Sequence, residues 1–180
     1  MIRVVSGTYK RRLLKQPDPS ITRPTKDVAK EGLFSSLGDI KGLSFLDLFS
    51  GSGAIGIEAY SRGASKVYLN DKNDESIKVI KDNLSSLKIN DINVSKLDYE
   101  IALKSYSSKN IKFDIIFLDP PYKMIIDLEF IKKILSYNIL NDDGIIIIET
   151  DYPLEEIIGE TYNLKILKYG RSLMNIVRGF

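Results

Sequence analysis

The sequence predicts a doubly wound α/β fold: a mostly parallel sheet with helices on both faces, closed by an antiparallel pair. Three observations predict it. From Gly42 onward, short apolar runs alternate with stretches of helical periodicity. The connections between them are short. The last two runs, 162–168 and 172–178, alternate apolar and polar residues as an antiparallel hairpin does. With 180 residues, 43% hydrophobic and 28% charged, the chain suffices for one such core.

Taken in order, 2–5 and 9–14 read as a hairpin, with Lys10, Arg11 and Arg12 on its second strand. A turn-rich linker spans 16–20. Thr25 suits the N-cap of a helix over 26–37, whose Val28, Ala29, Leu33, Phe34 and Leu37 are helically spaced. Gly32 inside that helix costs about 1 kcal/mol relative to alanine. The body begins near residue 41. Strands are predicted at 43–48, 66–70, 93–97, 113–118 and 145–149, and helices at 54–62, 74–87 and 128–135.

Composition removes whole classes of chemistry. The chain has no cysteine and no histidine. A disulfide framework, a thiol nucleophile, a Ser-His-Asp triad and a Cys- or His-ligated metal are therefore excluded. Carboxylates, backbone groups, tyrosine, serine or threonine, lysine or arginine, or a cofactor must carry any reaction. No apolar run approaches the length of a membrane span, and the first residues lack the pattern of a secretory signal. The expectation is a cytoplasmic monomer that needs no metal.

The net charge of +2 hides an asymmetry. Residues 1–30 carry eight basic and two acidic groups, whereas the rest of the chain carries 18 basic and 22 acidic. A basic arm on a mildly acidic body suggests an anionic polymer as partner.

Two segments concentrate the chemistry. The first runs Asp47-Leu48-Phe49-Ser50-Gly51-Ser52-Gly53, follows a strand and opens a helix that contains Gly56. Glycine permits the tight turn and close approach of a ligand, and the helix start presents N–H groups. Asp71 ends the next strand, where a carboxylate can hold both hydroxyls of a ribose. The pattern alone fits NAD or S-adenosylmethionine (SAM). Asp47 favours SAM, because it would attract a cationic amino-acid end and repel a pyrophosphate. Asp98, at the end of the third body strand, can accept from an adenine amine.

The second segment is Asp119-Pro120-Pro121-Tyr122, after the apolar strand 113–118 and on the same rim of the sheet. The prolines fix the backbone and leave carbonyls as acceptors. Asp119 and the Pro120 carbonyl can accept the two hydrogens of an exocyclic amine while Tyr122 stacks on its ring. Such an amine needs positioning rather than a strong base, so a site without histidine is consistent with its methylation.

Asp119 to Tyr122 resembles the (Asn/Asp)-Pro-Pro-(Tyr/Phe) motif of amino-directed SAM methyltransferases. Together with Ile2-Arg3-Val4-Val5-Ser6-Gly7, Lys10-Arg11-Arg12, Arg23-Pro24-Thr25 and Lys30-Glu31, it is similar to the RsmD family of bacterial 16S rRNA (guanine-N2) methyltransferases. The resemblance covers essentially the whole chain. It implies a Rossmann-like class I methyltransferase with a seven-stranded sheet over 41–180. Residues 1–40 would be an RNA-contacting extension. Asp47, Phe49, Gly51, Gly53, Asp71 and Asp98 would hold SAM, and Asp119, Pro120 and Tyr122 the guanine. Arg23 and Thr25 would sit over the active-site mouth, and Lys10, Arg11 and Arg12 would meet rRNA phosphates. The implied partner is 16S rRNA, within the small subunit or an assembly intermediate. Three other readings compete: a DNA adenine-N6 methyltransferase, a non-catalytic RNA-binding module and an NAD oxidoreductase.

Overall fold

Strand alternation sorts the apolar side chains of the central sheet onto two faces, and three helices cover each. A computed structural model describes residues 2–18, 27–121 and 123–180. Its body strands are β3 (Ser44–Asp47), β4 (Lys66–Asn70), β5 (Asn93–Ser95), β6 (Phe113–Leu118), β7 (Leu140–Thr150), β8 (Asn163–Tyr169) and β9 (Ser172–Arg178). They form one sheet in the order β5-β4-β3-β6-β7-β9-β8. The first five are parallel, and β9 runs antiparallel to both β7 and β8.

Phe45, Ile115, Phe117 and Ile147 face α1 (Asp27–Leu37), α2 (Ala54–Ser61) and α3 (Asp74–Leu87). Leu46, Ile116, Leu118 and Ile148 face α4 (Tyr99–Ser108), α5 (Leu128–Ser136) and α6 (Glu155–Ile158). Chain order reverses at β3, so a crevice opens at its carboxyl end, between β4 and β6.

Helix starts follow their caps. The Asn73 side chain accepts the Glu75 and Ser76 N–H groups, and that of Asp127 accepts the Phe130 N–H. Asp98 caps α4 in the same way, accepting the Glu100 N–H. Neither α4 nor the four-residue α6 is expected from sequence, and β7 starts at Leu140 rather than Ile145. Gly32 has a packing reason: a Cβ there would lie 1.8 Å from the Tyr169 hydroxyl of β8.

The N-terminal arm pairs β1 (Ile2–Arg3) with β2 (Leu13–Leu14). Lys10, Arg11 and Arg12 are not on its second strand but in the connection before it. Val4 accepts from the Arg11 N–H and donates to the Arg12 carbonyl, so two residues oppose one. Arg11 adopts φ 70° at this bulge.

The arm is fastened to the body. Ile2, Val4 and Leu14 join the cluster under α1, α2 and α3. Glu58, fully buried on α2, accepts the Val5 N–H at 2.7 Å and the Ser6 N–H at 2.9 Å. It also pairs with Arg62 at 2.8 Å and Lys30 at 3.8 Å. Lys30, equally buried, donates to the Arg3 carbonyl. Desolvation pushes its ammonium below the usual lysine range, against the pull of Glu58 and Asp27. Further along, the Asn83 side chain exchanges hydrogen bonds with both backbone groups of Lys15 and donates to the Ser52 carbonyl. The arm and the glycine turn therefore share one anchor.

Candidate active site

A cavity of about 350 Å³ occupies the crevice at the carboxyl ends of β3, β4, β6 and β7. Each of these strands delivers one carboxylate to it: Asp47 from β3, Asp71 after β4, Asp119 after β6 and Glu149 from β7. The registers Asp47↔Leu69, Asp47↔Phe117 and Leu118↔Ile148 put the four at neighbouring levels. Alternation turns them toward the face that carries Leu69, Phe117 and Ile147.

Asp47 is 1% exposed. Its Oδ2 accepts the Gly56 N–H at 3.2 Å, and its Oδ1 has no hydrogen-bond partner among the described residues. Desolvation raises its carboxyl to about 7, and the nearby Asp71 charge adds to this, against the Gly56 N–H. Burial also raises Asp71, although its two oxygens accept the Gly51 and Asn73 N–H groups, each at 2.8 Å. The Gly53 N–H goes to the Ser50 carbonyl. Three N–H groups of this turn are thus engaged internally, and the charge beneath it is negative. Such a site accommodates a cationic group and repels an anionic one.

Buried Asn70 fixes the crevice floor. Its amide bridges the Leu48 and Leu97 carbonyls, and its backbone exchanges hydrogen bonds with Ser50. Phe49 and Tyr99 form an aromatic wall, ring centroids 5.6 Å apart. On the opposite side the Pro121 carbonyl accepts the Met124 N–H at 2.8 Å. Glu149 Oε1 accepts the Ser172 hydroxyl at 2.5 Å.

Of the residues singled out from sequence, Asp47, Phe49, Gly51, Asp71, Asp98, Asp119 and Pro120 line this one cavity. Gly53 lies at the start of α2 with φ 77° and shapes the turn. Tyr122, Arg23 and Thr25 lie outside the described residues. Lys10, Arg11 and Arg12 do not line the cavity; Arg12 donates to the Ser86 carbonyl on α3, 3.1 Å away. Asn70, Leu97, Tyr99, Glu149 and Ser172 line it without having been expected. A signal existed for Tyr99, next to the Asp98 cap, and for Glu149, at the end of the Ile145–Ile148 run. Among the described residues, no helix is long and apolar enough to cross a membrane, and no group of acidic residues is arranged to hold a metal.

Residues 2–178 match the family described as "Conserved hypothetical protein 95". The chain is 38% identical to "Putative rRNA methyltransferase YlbH" of Bacillus subtilis over 173 residues, 94% of each chain. It is 33% identical to "Ribosomal RNA small subunit methyltransferase D" of Haemophilus influenzae over 169 residues, 91% of this chain and 86% of that one. The structure "Putative methyltransferase yhhF from Escherichia coli" superposes with TM-score 0.82 at 28% identity, over 98% of this chain and 97% of that chain.

Proposed function

The chain belongs to the Conserved hypothetical protein 95 (RsmD) family, and on that premise we propose that it moves a methyl group from SAM to the N2 amine of a guanine in 16S rRNA. The observation that carries the reading is the convergence of the Asp47–Asp71 glycine turn and Asp119-Pro120 on one cavity.

SAM, when bound, supplies an electrophilic methyl on a cationic sulfur. The chain's own groups do the rest. The unpartnered Oδ1 of Asp47 suits the cofactor's ammonium. The Asp71 oxygens keep acceptor capacity for the ribose hydroxyls beside their backbone bonds. Asp98 keeps the same capacity toward the adenine amine while one oxygen caps α4. Phe49 and Tyr99 offer ring faces to the purine. Asp119 and the Pro120 carbonyl accept from the guanine N2 amine and aim its lone pair at the methyl. Held by Asp47, Asp71 and Asp98, SAM would supply that methyl to the nitrogen and keep the carbon–sulfur electron pair on its sulfur. The nitrogen then releases one proton, through Asp119, to water.

A guanine stacked in a helix cannot reach such a crevice, so the base must be unstacked. The segment 1–40 is proposed as the RNA-contacting extension, with Lys10 and Arg11 on phosphates, Arg23 and Thr25 over the site, and Tyr122 stacked on the base. Relatives named for ribosomal RNA favour this substrate over adenine N6 in DNA. The test is methyl transfer from labelled SAM to small ribosomal subunits lacking the modification, followed by nucleoside analysis. N2-methylguanosine at one 16S position is the expected product. Transfer to DNA adenine instead would overturn the substrate assignment.

A further inference from the structure

We propose that Asn83 makes the N-terminal arm a wall of the cofactor site, so that SAM affinity depends on how the arm is held. The inference rests on the reading of this cavity as the SAM site, and it extends that site to residues ahead of the body.

Asn83 lies on α3, is 1% exposed, and does not itself line the cavity. Its Oδ1 accepts the Lys15 N–H at 2.8 Å. Its Nδ2 donates to the Lys15 carbonyl at 3.1 Å and to the Ser52 carbonyl at 3.0 Å. One buried amide thus holds the arm on one side and the glycine turn on the other. A side-chain amide offers an acceptor and two donors together. A carboxylate or an alkyl group of the same size would leave both carbonyls without their donor.

What this clamp fixes reaches the cavity. Gln16, next to Lys15, lines it, as do Ser52 and Ile2, which pairs with Leu14 across the hairpin. Pro17 is buried. Beyond it the Asp18 N–H donates to Glu75 Oε1 at 2.8 Å, and Lys15 Nζ pairs with Asp82 at 2.9 Å. Residues 15–18 therefore run back along α3, from Asp82 toward Glu75. Seven helical residues rise about 10 Å, which is about the full reach of three extended residues. This strap has little slack, and its course carries Gln16 past the glycine turn. Asn83 is on this reading a positioning residue: it stands outside the cavity and acts through Gln16, Ile2 and Ser52. The extension is then part of the cofactor site as well as the proposed RNA contact.

The test is titration calorimetry of SAM on the full chain, at a temperature where circular dichroism shows each variant folded. Asn83→Leu keeps the side-chain size and removes all three hydrogen bonds. SAM affinity is expected to fall at least about fivefold, the lower end of couplings between sites. Ile134→Ala, on α5 in the other core cluster, loses stability without touching the arm and should bind SAM as wild type does. Wild-type affinity in Asn83→Leu overturns the proposal. An equal loss in Ile134→Ala overturns it too, because the effect would then be one of stability. Should Asn83→Leu not fold, amide exchange of wild-type protein decides. About a hundredfold excess of SAM over its Kd should slow exchange of the Lys15 N–H at least about tenfold, and an unchanged rate overturns the proposal. Failure of wild-type protein to bind SAM at all would strike the reading of the cavity instead.

Discussion

The Asp71 carboxylate accepts the Gly51 N–H at 2.8 Å, so the acid after β4 and the glycine turn after β3 form one unit. Asp71→Ala removes the turn's restraint together with the proposed ribose acceptor. Hydrogen bonds to a charged group contribute about 1.5–3 kcal/mol, so SAM affinity is expected to fall at least about tenfold. Asp71→Asn retains one acceptor oxygen and should fall in between. Titration calorimetry checks this, and wild-type affinity in Asp71→Ala would remove Asp71 from the cofactor site.

Asp47, proposed to meet the cofactor's ammonium, is expected to make SAM binding pH-dependent. Its folded value, about 7, lies above the ordinary 3.8, so between these limits the folded chain holds a proton that the unfolded chain has released. Its contribution to stability therefore falls as pH rises through that window, by up to about 1.4 kcal/mol per pH unit. A cationic ligand end favours the ionised carboxylate. SAM binding near pH 6 should release a proton, and affinity should rise toward neutral pH. Calorimetry in buffers of different ionisation enthalpy measures the release, which Asp47→Asn should abolish.

Asp119→Ala separates binding from transfer. The acid is proposed to hold the acceptor amine, so SAM affinity should persist while turnover falls about 10²–10³-fold, as for loss of one positioned transition-state partner. Equilibrium SAM binding and single-turnover transfer together decide it. Loss of SAM binding in this variant would move Asp119 into the cofactor site.

Glu58→Ala tests how the arm is held. The substitution strands the Val5 and Ser6 N–H groups and leaves Lys30 buried without its nearest α2 carboxylate. Breaking a buried pair from one side costs about 3–5 kcal/mol. Chemical denaturation should show a loss in that range. Lys30→Met should cost less, because Glu58 keeps Arg62 and both N–H donors.

The arm's basic residues should act through charge alone. Arg11→Ala is expected to weaken RNA binding evenly across sequences and to lower the salt slope of log K by about one. Filter binding over a salt series reads both, and an unchanged slope removes Arg11 from the RNA contact.

The body was legible in sequence because burial there is carried by uniform signals. The 113–118 run is apolar nearly throughout, and α3 combines an Asn73 cap with helically spaced Ile77, Ile80, Leu84 and Leu87. α4 escaped because only Ala102, Leu103 and Tyr106 of its ten residues are buried, among three serines, a glutamate and a lysine. With it went Tyr99. Lys10 to Arg12 follow an apolar start and look strand-like, yet the Arg11 bulge lifts them out of the ladder, and a single arginine gives no hint of φ 70°. Asp47 and Asp119 were visible because each ends a recognisable strand ahead of a glycine turn or a proline pair, and Asp71 because it ends the next strand, 20 residues after Gly51. Glu149 and Asn70 carry no such punctuation, and their part depends on which strands become neighbours.

The fastening of the arm also orders the folding of the chain. Val5 and Ser6 meet Glu58 across 53 and 52 residues, and Lys15 meets Asn83 across 68. During synthesis the first hairpin emerges long before its anchors, and it can lock only after α3 has been made. Contacts of such long sequence separation close slowly. The hairpin should therefore dock last and detach first, as a unit whose amides exchange with solvent ahead of those in β3, β6 and β7.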